Sequence, residues 1–356
     1  MRTAIIGLPM TGKTSLFTIL TGVHQSTRVG SMETQIGIAR VPDPRLDALA
    51  AIFDPPKVTQ AVVEYVDFPA ISKEALRDPQ YLASLRVVDA LALVLRVFED
   101  PTVPHEKGSI DPLRDRDDVG IELILSDLVV VEKRLERLEK DRRKIKSPEI
   151  EHEYEILIRC KEVLESEKPL REMPLTEDEE KRIRGFQFLS QKPILYVINA
   201  GEESAPNLAE VEAAYAEKLG SRPHTAVTAV CGKIEAELAE LAPGEAAELM
   251  SSYGLSSPGL NRVITATYGL LGLMSFLTAG ETEVRAWTIP IHSTAVKAAG
   301  AIHSDFEKKF IRAEVVNWKN LVDLKGYPGV REKGLLRLEG KEYIVKDGDV
   351  LVIRHG

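Results

Sequence analysis

The sequence predicts an α/β fold, and three observations carry that prediction. The chain opens on a short β-branched run, "TAIIG", which passes through a glycine turn into "KTSLFTILTG", where apolar residues recur at helical spacing. Three later runs, "AVVEYVDFPA", "KPILYVINAGE" and "HTAVTAVCG", are strand-like, and each ends in a loop. Between the first and second of these lies a long stretch with coiled-coil spacing. At 356 residues the chain has room for two or three domains, each with its own core.

Composition narrows the class. Hydrophobic residues make up 44% and charged residues 28%, far from the balance that keeps a chain disordered, so a folded globular protein is expected. The net charge of -9 argues against a protein that coats nucleic acid non-specifically, so any RNA contact has to be regional. Cys160 and Cys231 are too few and too far apart for a disulfide framework or a thiolate metal site. With no leader-like pattern ahead of the first strand, the expected location is cytoplasmic. "VITATYGLLGLMSFLTAG", from Val263 to Gly280, is the most membrane-like stretch, but its threonines, tyrosine and glycines predict a buried helix instead.

Gly7 to Thr14 satisfy G-x-x-x-x-G-K-[ST] in the required context of strand, turn and helix. In such a loop the backbone N–H groups and the helix N-terminus face phosphate oxygens, and the glycines let the backbone turn and approach. Lys13 then reaches the β- and γ-phosphates, and the Thr14 hydroxyl is a ligand for Mg2+. The residues assigned to nucleotide here are Gly7, Pro9, Met10, Thr11, Gly12, Lys13, Thr14 and Ser15.

A P-loop alone does not separate kinases, motors and G-proteins, so the later strand ends matter. "AVVEYVDFPA" reaches Asp67, a carboxylate that either holds Mg2+ through water or caps a following helix. "KPILYVINAGE" ends in Asn199-Ala200-Gly201-Glu202, where G-proteins carry N-K-x-D. The Asp of that pattern accepts from guanine N1–H and the 2-amino group. With both its Lys and its Asp missing, the Asn-x-x-Glu loop weakens the case for guanine and admits adenine. "HTAVTAVCGKIEAELAEL" passes through Cys231-Gly232-Lys233, where a G-protein presents backbone amides to the base.

The order of these loops, and above all the C-terminal part of the chain, resembles the YchF family of Obg-like ATPases. The residues that carry the likeness are "SPGLNRVITATYGLLGLMSFLTAGETEVRAWTIP", "AAGAIHSDFEKKFIRAEV", "KGYPGVREKG", "RLEGKEYIVKDGDVLVIR" and, near the start, "VPDPRLDALA". The resemblance implies a Ras-like P-loop domain interrupted by an antiparallel helical hairpin and followed by a ubiquitin-like β-grasp TGS domain. On this chain that places the P-loop domain at 1–120 and 189–272, the hairpin at 121–188 and the TGS domain at 273–356. It further implies Mg2+-dependent hydrolysis of ATP in preference to GTP, association with the ribosome, and a link to stress responses; the Asn-x-x-Glu loop is the family's signature for its base preference. The family positions water with a histidine from a mobile loop. "FEDPTVPHEKGSIDP" matches that loop and places the residue at His105, where a neutral imidazole orients or deprotonates the attacking water.

Departures from the family pattern fall in the catalytic machinery. Met10 and Thr11 stand where the family P-loop reads Asn-Val, and a thioether is a poor ligand for the potassium that Asn helps hold in related G-proteins. Asp67-Phe68-Pro69-Ala70 replaces D-x-A-G, losing the glycine whose N–H swings onto the γ-phosphate. Ser31 stands in place of the magnesium-binding threonine of the first switch and keeps its hydroxyl. Phosphate cradling and base contact are thus expected to survive better than turnover.

From Ile121 onward, apolar residues recur at Leu125, Leu128, Val131, Leu135 and Leu138, and Ser147-Pro148 breaks the run ahead of a second helix. The pair reads as an antiparallel hairpin with a basic tip, "KRLERLEKDRRKIK", in which Arg142, Arg143, Lys144 and Lys146 are candidates for rRNA phosphate contacts. Beyond Leu273, short strands around one helix suggest a β-grasp with Trp287 and Trp318 in its core or interface. The expectation is a cytoplasmic, monomeric, Mg2+-dependent ATPase, weakened by its altered switches, that visits the ribosome. A non-hydrolysing nucleotide-binding adaptor and a conventional GTPase are the competing readings.

Overall fold

The computed structural model describes residues 1–23, 34–72, 74–144, 146–255 and 257–356. It divides into two compact units, Met1–Gly37 with Glu64–Ala266, and Ile38–Val63 with Thr267–Gly356. In chain order the first strands are β1 (Arg2–Ile6), β2 (Gln35–Arg40), β3 (Val58–Thr59), β4 (Val62–Asp67), β5 (Ala90–Arg96), β6 (Ile194–Asn199) and β7 (Thr225–Val230). All but β3 form one sheet in the order β2-β4-β1-β5-β6-β7. β1 runs parallel to β4 and β5, and β6 parallel to β5 and β7. β5 and β6 are buried along their full length, as their nearly unbroken apolar runs require of parallel strands covered on both faces.

The register aligns Ile5 with Asp67, Ile6 with Leu93, and Arg96 with Asn199 and in turn Val230. The loops that follow these strands therefore gather at one edge of the sheet, the edge where open parallel sheets bind their ligands. The helices that follow the strands are α1 (Lys13–Thr21), α2 (Pro44–Phe53), α3 (Pro79–Arg86), α4 (Pro112–Arg142), α5 (Pro148–Glu165), α6 (Glu177–Ile183), α7 (Leu208–Leu219), α8 (Gly232–Glu240), α9 (Pro243–Ser252) and α10 (Gly259–Leu270). Their starts obey local chemistry. Asp111 caps α4 by accepting from Arg114 N, with Pro112 at the first helical position, and Thr176 and Glu179 form a capping box on α6.

α4 and α5 form the expected antiparallel pair, but α4 begins at Pro112, nine residues earlier than the apolar spacing suggested. Its buried stripe also differs. Ile124, Val131, Leu135 and Leu138 pack against Ile156, Leu157, Cys160 and Leu164, whereas Ile121 and Leu125 are exposed. The heptad step back from Val131 lands on Ile124, so Leu125 falls one position off the seam.

In the second unit a six-stranded sheet runs β11-β10-β12-β8-β9-β3, with β8 (Leu273–Ala279), β9 (Val284–Pro290), β10 (Phe310–Asn317), β11 (Arg337–Glu339) and β12 (Asp349–His355). β8 and β9 are an antiparallel pair, β12 joins β8 in parallel, and α11 (Ala295–Ile302) contributes Ala295, Ala298 and Ala299 to the core. Trp287 stacks on Phe276 and donates Nε1–H to Thr278 Oγ1 at 2.9 Å, a core role. Two expectations change here. The Val263–Gly280 stretch is a helix only to Leu270; Gly272 turns the chain at φ 63 and β8 follows, because "LMSFLTA" after two glycines suits a strand better. α2, placed by sequence with the P-loop domain, belongs to this unit, where Arg45 pairs with Asp347 at 2.7 Å and Gly326 approaches Ile52. Among the described residues no helix is long and apolar enough to cross a membrane.

Candidate nucleotide site

The turn between β1 and α1 requires its glycines. Gly7 has φ 150, and a Cβ there would stand 2.8 Å from Val94 O; Gly12 has φ 91, and a Cβ there would collide with Asn199 Nδ2. Met10 also sits in the left-handed region, at φ 57, with its side chain exposed, while Thr11 is buried and donates to Leu8 O at 3.1 Å. Lys13 is buried, and its ammonium folds back onto Leu8 O at 2.6 Å. Burial lowers its pKa to about 8, against the opposing pull of Asp67 and Glu106. A desolvated ammonium held by a carbonyl of its own loop is positioned to gain greatly from an anion.

Thr14 Oγ1 donates to Asp67 Oδ2 at 3.0 Å, so two of the three sequence-assigned metal residues meet where α1 begins and β4 ends. Both present hard oxygens, the donor type Mg2+ prefers, and the pair leaves most of an octahedral shell to water and phosphate. Ser31 lies outside the described residues. The segment after Asp67 is tied down. Ile71 N donates to Gly7 O at 3.1 Å, Tyr81 Oη donates to Pro69 O at 3.1 Å, and Phe68 is buried edge-on against Tyr81.

On the other side of the loop, Asn199 bridges two strand ends. Its Nδ2 donates to Thr11 O at 3.0 Å, and its Oδ1 accepts from Gly232 N at 3.0 Å. Beside it opens a cavity of about 390 Å³ whose wall includes Gly12, Ser15, Asn199, Ala200, Glu202 and Gly232. Cys231 is not in that wall. It is buried among Ala205 and Ile234, and burial pushes its thiol pKa up. Glu202 is held by Lys233 at 2.7 Å, so the carboxylate that would read guanine is already committed to a cation.

Sequence reasoning missed the far wall, Phe98 to Asp100 and Val103. Arg96 fixes this wall. It is 2% exposed and donates from Nε to Phe98 O at 3.1 Å and from Nη2 to Val103 O at 2.7 Å. An arginine ending a strand of six apolar residues was the available signal. His105 follows this segment, and both of its ring nitrogens are occupied. Nε2 meets Asp115 Oδ2 at 2.9 Å, and Nδ1 accepts from Lys107 N at 3.1 Å, which sets the Nε2–H tautomer. At the hairpin tip, Arg142 is bound to Glu151 at 2.7 Å and lies over Tyr154, whereas Arg143, Lys144 and Lys146 are exposed.

The C-terminal residues 273–356 match a family model described as YchF-GTPase_C, protein of unknown function (DUF933). Over the whole chain, the protein named ribosome-binding ATPase YchF from Haemophilus ducreyi is 41% identical across 357 residues, covering 98% of this chain and 98% of that protein. Its namesakes from Bacillus subtilis and Escherichia coli O157:H7 are each 39% identical, covering 98% of this chain and 98% and 97% of their own lengths. The solved structure of the Schizosaccharomyces pombe YchF GTPase superposes with a TM-score of 0.84 at 27% identity, covering 99% of this chain and 97% of that one.

Proposed function

The chain belongs to the YchF family, and from that premise we propose that it binds ATP with Mg2+ along the cleft from Gly7 to Gly232, hydrolyses it, and associates with the ribosome in the cytoplasm as a monomer. The observation that carries the nucleotide reading is the Asn199 amide. It ties the carbonyl of Thr11 in the phosphate loop to the N–H of Gly232 beside the base cavity, so the two halves act as one site. Lys13 leaves Leu8 O for the β- and γ-phosphates, and the backbone from Gly7 to Ser15 cradles them. Thr14 and Asp67 would hold Mg2+, with Ser31 as a further ligand, and an ion there would supply neutralisation of the phosphate charge. The Glu202–Lys233 pair supports adenine over guanine, because a neutralised carboxylate has little to offer the guanine donors.

His105 acts on water once Lys107 N releases Nδ1, with Asp115 keeping the proton on Nε2. The pinned segment after Asp67 favours slow turnover, and in the limit the adaptor reading. The relatives' ribosome-binding name supports rRNA contact through Arg143, Lys144 and Lys146 and through the C-terminal unit, read as a TGS domain. Competition between ATP and GTP for one fluorescent nucleotide analogue tests the base preference. Tighter ATP displacement is expected, and equal or tighter GTP displacement would return the conventional GTPase reading.

A further inference from the structure

At the opposite edge of the first sheet, where β5, β6 and β7 begin, lies a cavity of about 510 Å³ that the nucleotide site does not use. Four cations line it, Arg86, Arg171, Arg184 and Lys192, against two carboxylates, Asp89 and Glu180. The carboxylates around it are committed or exposed. Asp89 accepts from Arg2 N at 2.7 Å, Glu180 is exposed, and Glu172 is paired with Arg222. The buried Asp127 serves Arg86 at 3.1 Å and the Leu189 and Ser190 amides. Arg184 is exposed, and among the described residues neither Arg171 nor Lys192 has a carboxylate hydrogen-bonded to it. Lys192 Nζ donates to the carbonyls of Arg86 at 2.8 Å and Val88 at 2.6 Å. Arg171 is buried, its Nε donates to Lys192 O at 2.8 Å, and its Nη2 has no hydrogen-bond partner. Burial lowers the pKa of both, that of Lys192 to about 8. A buried guanidinium with an N–H left unpartnered is costly unless an anion joins it.

We propose that this cavity is a second anion site, separate from the P-loop, which takes a phosphorylated small molecule with its phosphate drawn to the lining cations Arg171 and Lys192. The volume suits a ligand rather than a lone water, and a guanidinium fork and an ammonium in one lining suit phosphate. The test uses the full chain carrying Lys13→Ala, which disables the P-loop, with inorganic phosphate and AMP as probes at constant ionic strength. A probe at about ten times its Kd is expected to raise the Tm by about 3 °C. Adding Arg171→Gln and Lys192→Gln is expected to abolish that rise. A rise with AMP alone assigns the site to phosphomonoesters that carry a ring, whereas equal rises assign it to phosphate itself. No rise with either probe, or the same rise after both Gln substitutions, overturns the proposal. Arg171→Gln alone provides a second readout. Losing an unpaired buried cation is expected to hold or raise the ligand-free Tm, and a fall of several degrees would mark Arg171 as structural and refute the site.

Discussion

With Lys13 on the phosphates as proposed, nucleotide affinity is expected to depend on pH in a calculable way. In the free protein its pKa is about 8, because burial outweighs the attraction of Asp67 and Glu106. Phosphate oxygens favour the ammonium, so the bound pKa lies higher, and only the protonated free protein binds tightly. Affinity is therefore level below pH 8 and falls tenfold per unit above it. The protonated fraction drops from roughly 0.9 at pH 7 to roughly 0.1 at pH 9, which predicts about a tenfold weaker Kd at pH 9. Titration calorimetry with ATP and saturating Mg2+ reads this directly. At pH 8, buffers of different ionisation enthalpy are expected to report uptake of about half a proton per nucleotide. Lys13→Met is expected to bind weakly and without this slope. A Kd unchanged between pH 7 and pH 9, or the same slope in Lys13→Met, would refute the reasoning. In the ligand-free protein the stability sign is opposite. The folded state binds fewer protons than the unfolded state between pH 8 and the ordinary lysine pKa, so the cost of burying Lys13 is full below pH 8 and is relieved as pH rises through that window.

Further outcomes follow from the same geometry. Gly12→Ala is expected to weaken ATP binding at least about 30-fold and to cost the fold about 1–2 kcal/mol, since the new Cβ displaces the Asn199 amide and φ 91 strains the backbone; equilibrium titration and thermal unfolding check it. His105→Gln is expected to lower kcat about 10²-fold with KM nearly unchanged, and an unchanged kcat would remove His105 from the chemistry. Exchanging sodium for potassium is expected to leave hydrolysis unchanged because Met10 supplies no hard oxygen; several-fold stimulation would contradict this. Replacing Arg143, Lys144 and Lys146 with Gln is expected to weaken ribosome co-sedimentation and flatten its salt dependence by about three contacts, whereas Arg142→Gln changes stability instead.

What was legible in the sequence was local. The P-loop is a contiguous turn whose glycine spacing states its geometry, and Asn199 ends a strand whose apolar run is unmistakable. What escaped depends on partners distant along the chain. The turn from Phe98 to Val103 carries few apolar residues, and only the three-dimensional position of Arg96 makes it a cavity wall. His105 reads as a loop residue until Asp115, ten positions on, is seen to hold its ring. The segment from Val41 to Ala50 is adjacent in sequence to the P-loop unit, yet its helix packs with strands more than two hundred residues later, a choice that local propensity does not encode. Leu125 and Ile124 are neighbours with near-equal hydrophobicity, and only the facing helix selects between them.

One cleft, from Gly7 to Gly232, is proposed both to hold ATP and to cut it. Phosphate release under single-turnover conditions, with protein in excess over radiolabelled ATP and Mg2+ supplied, tests it most directly. Complete though slow conversion to ADP and phosphate is expected, lost in Lys13→Met. Bound ATP that stays intact over many hours would leave a nucleotide-binding adaptor, and absence of ATP binding altogether would contradict the account at its base.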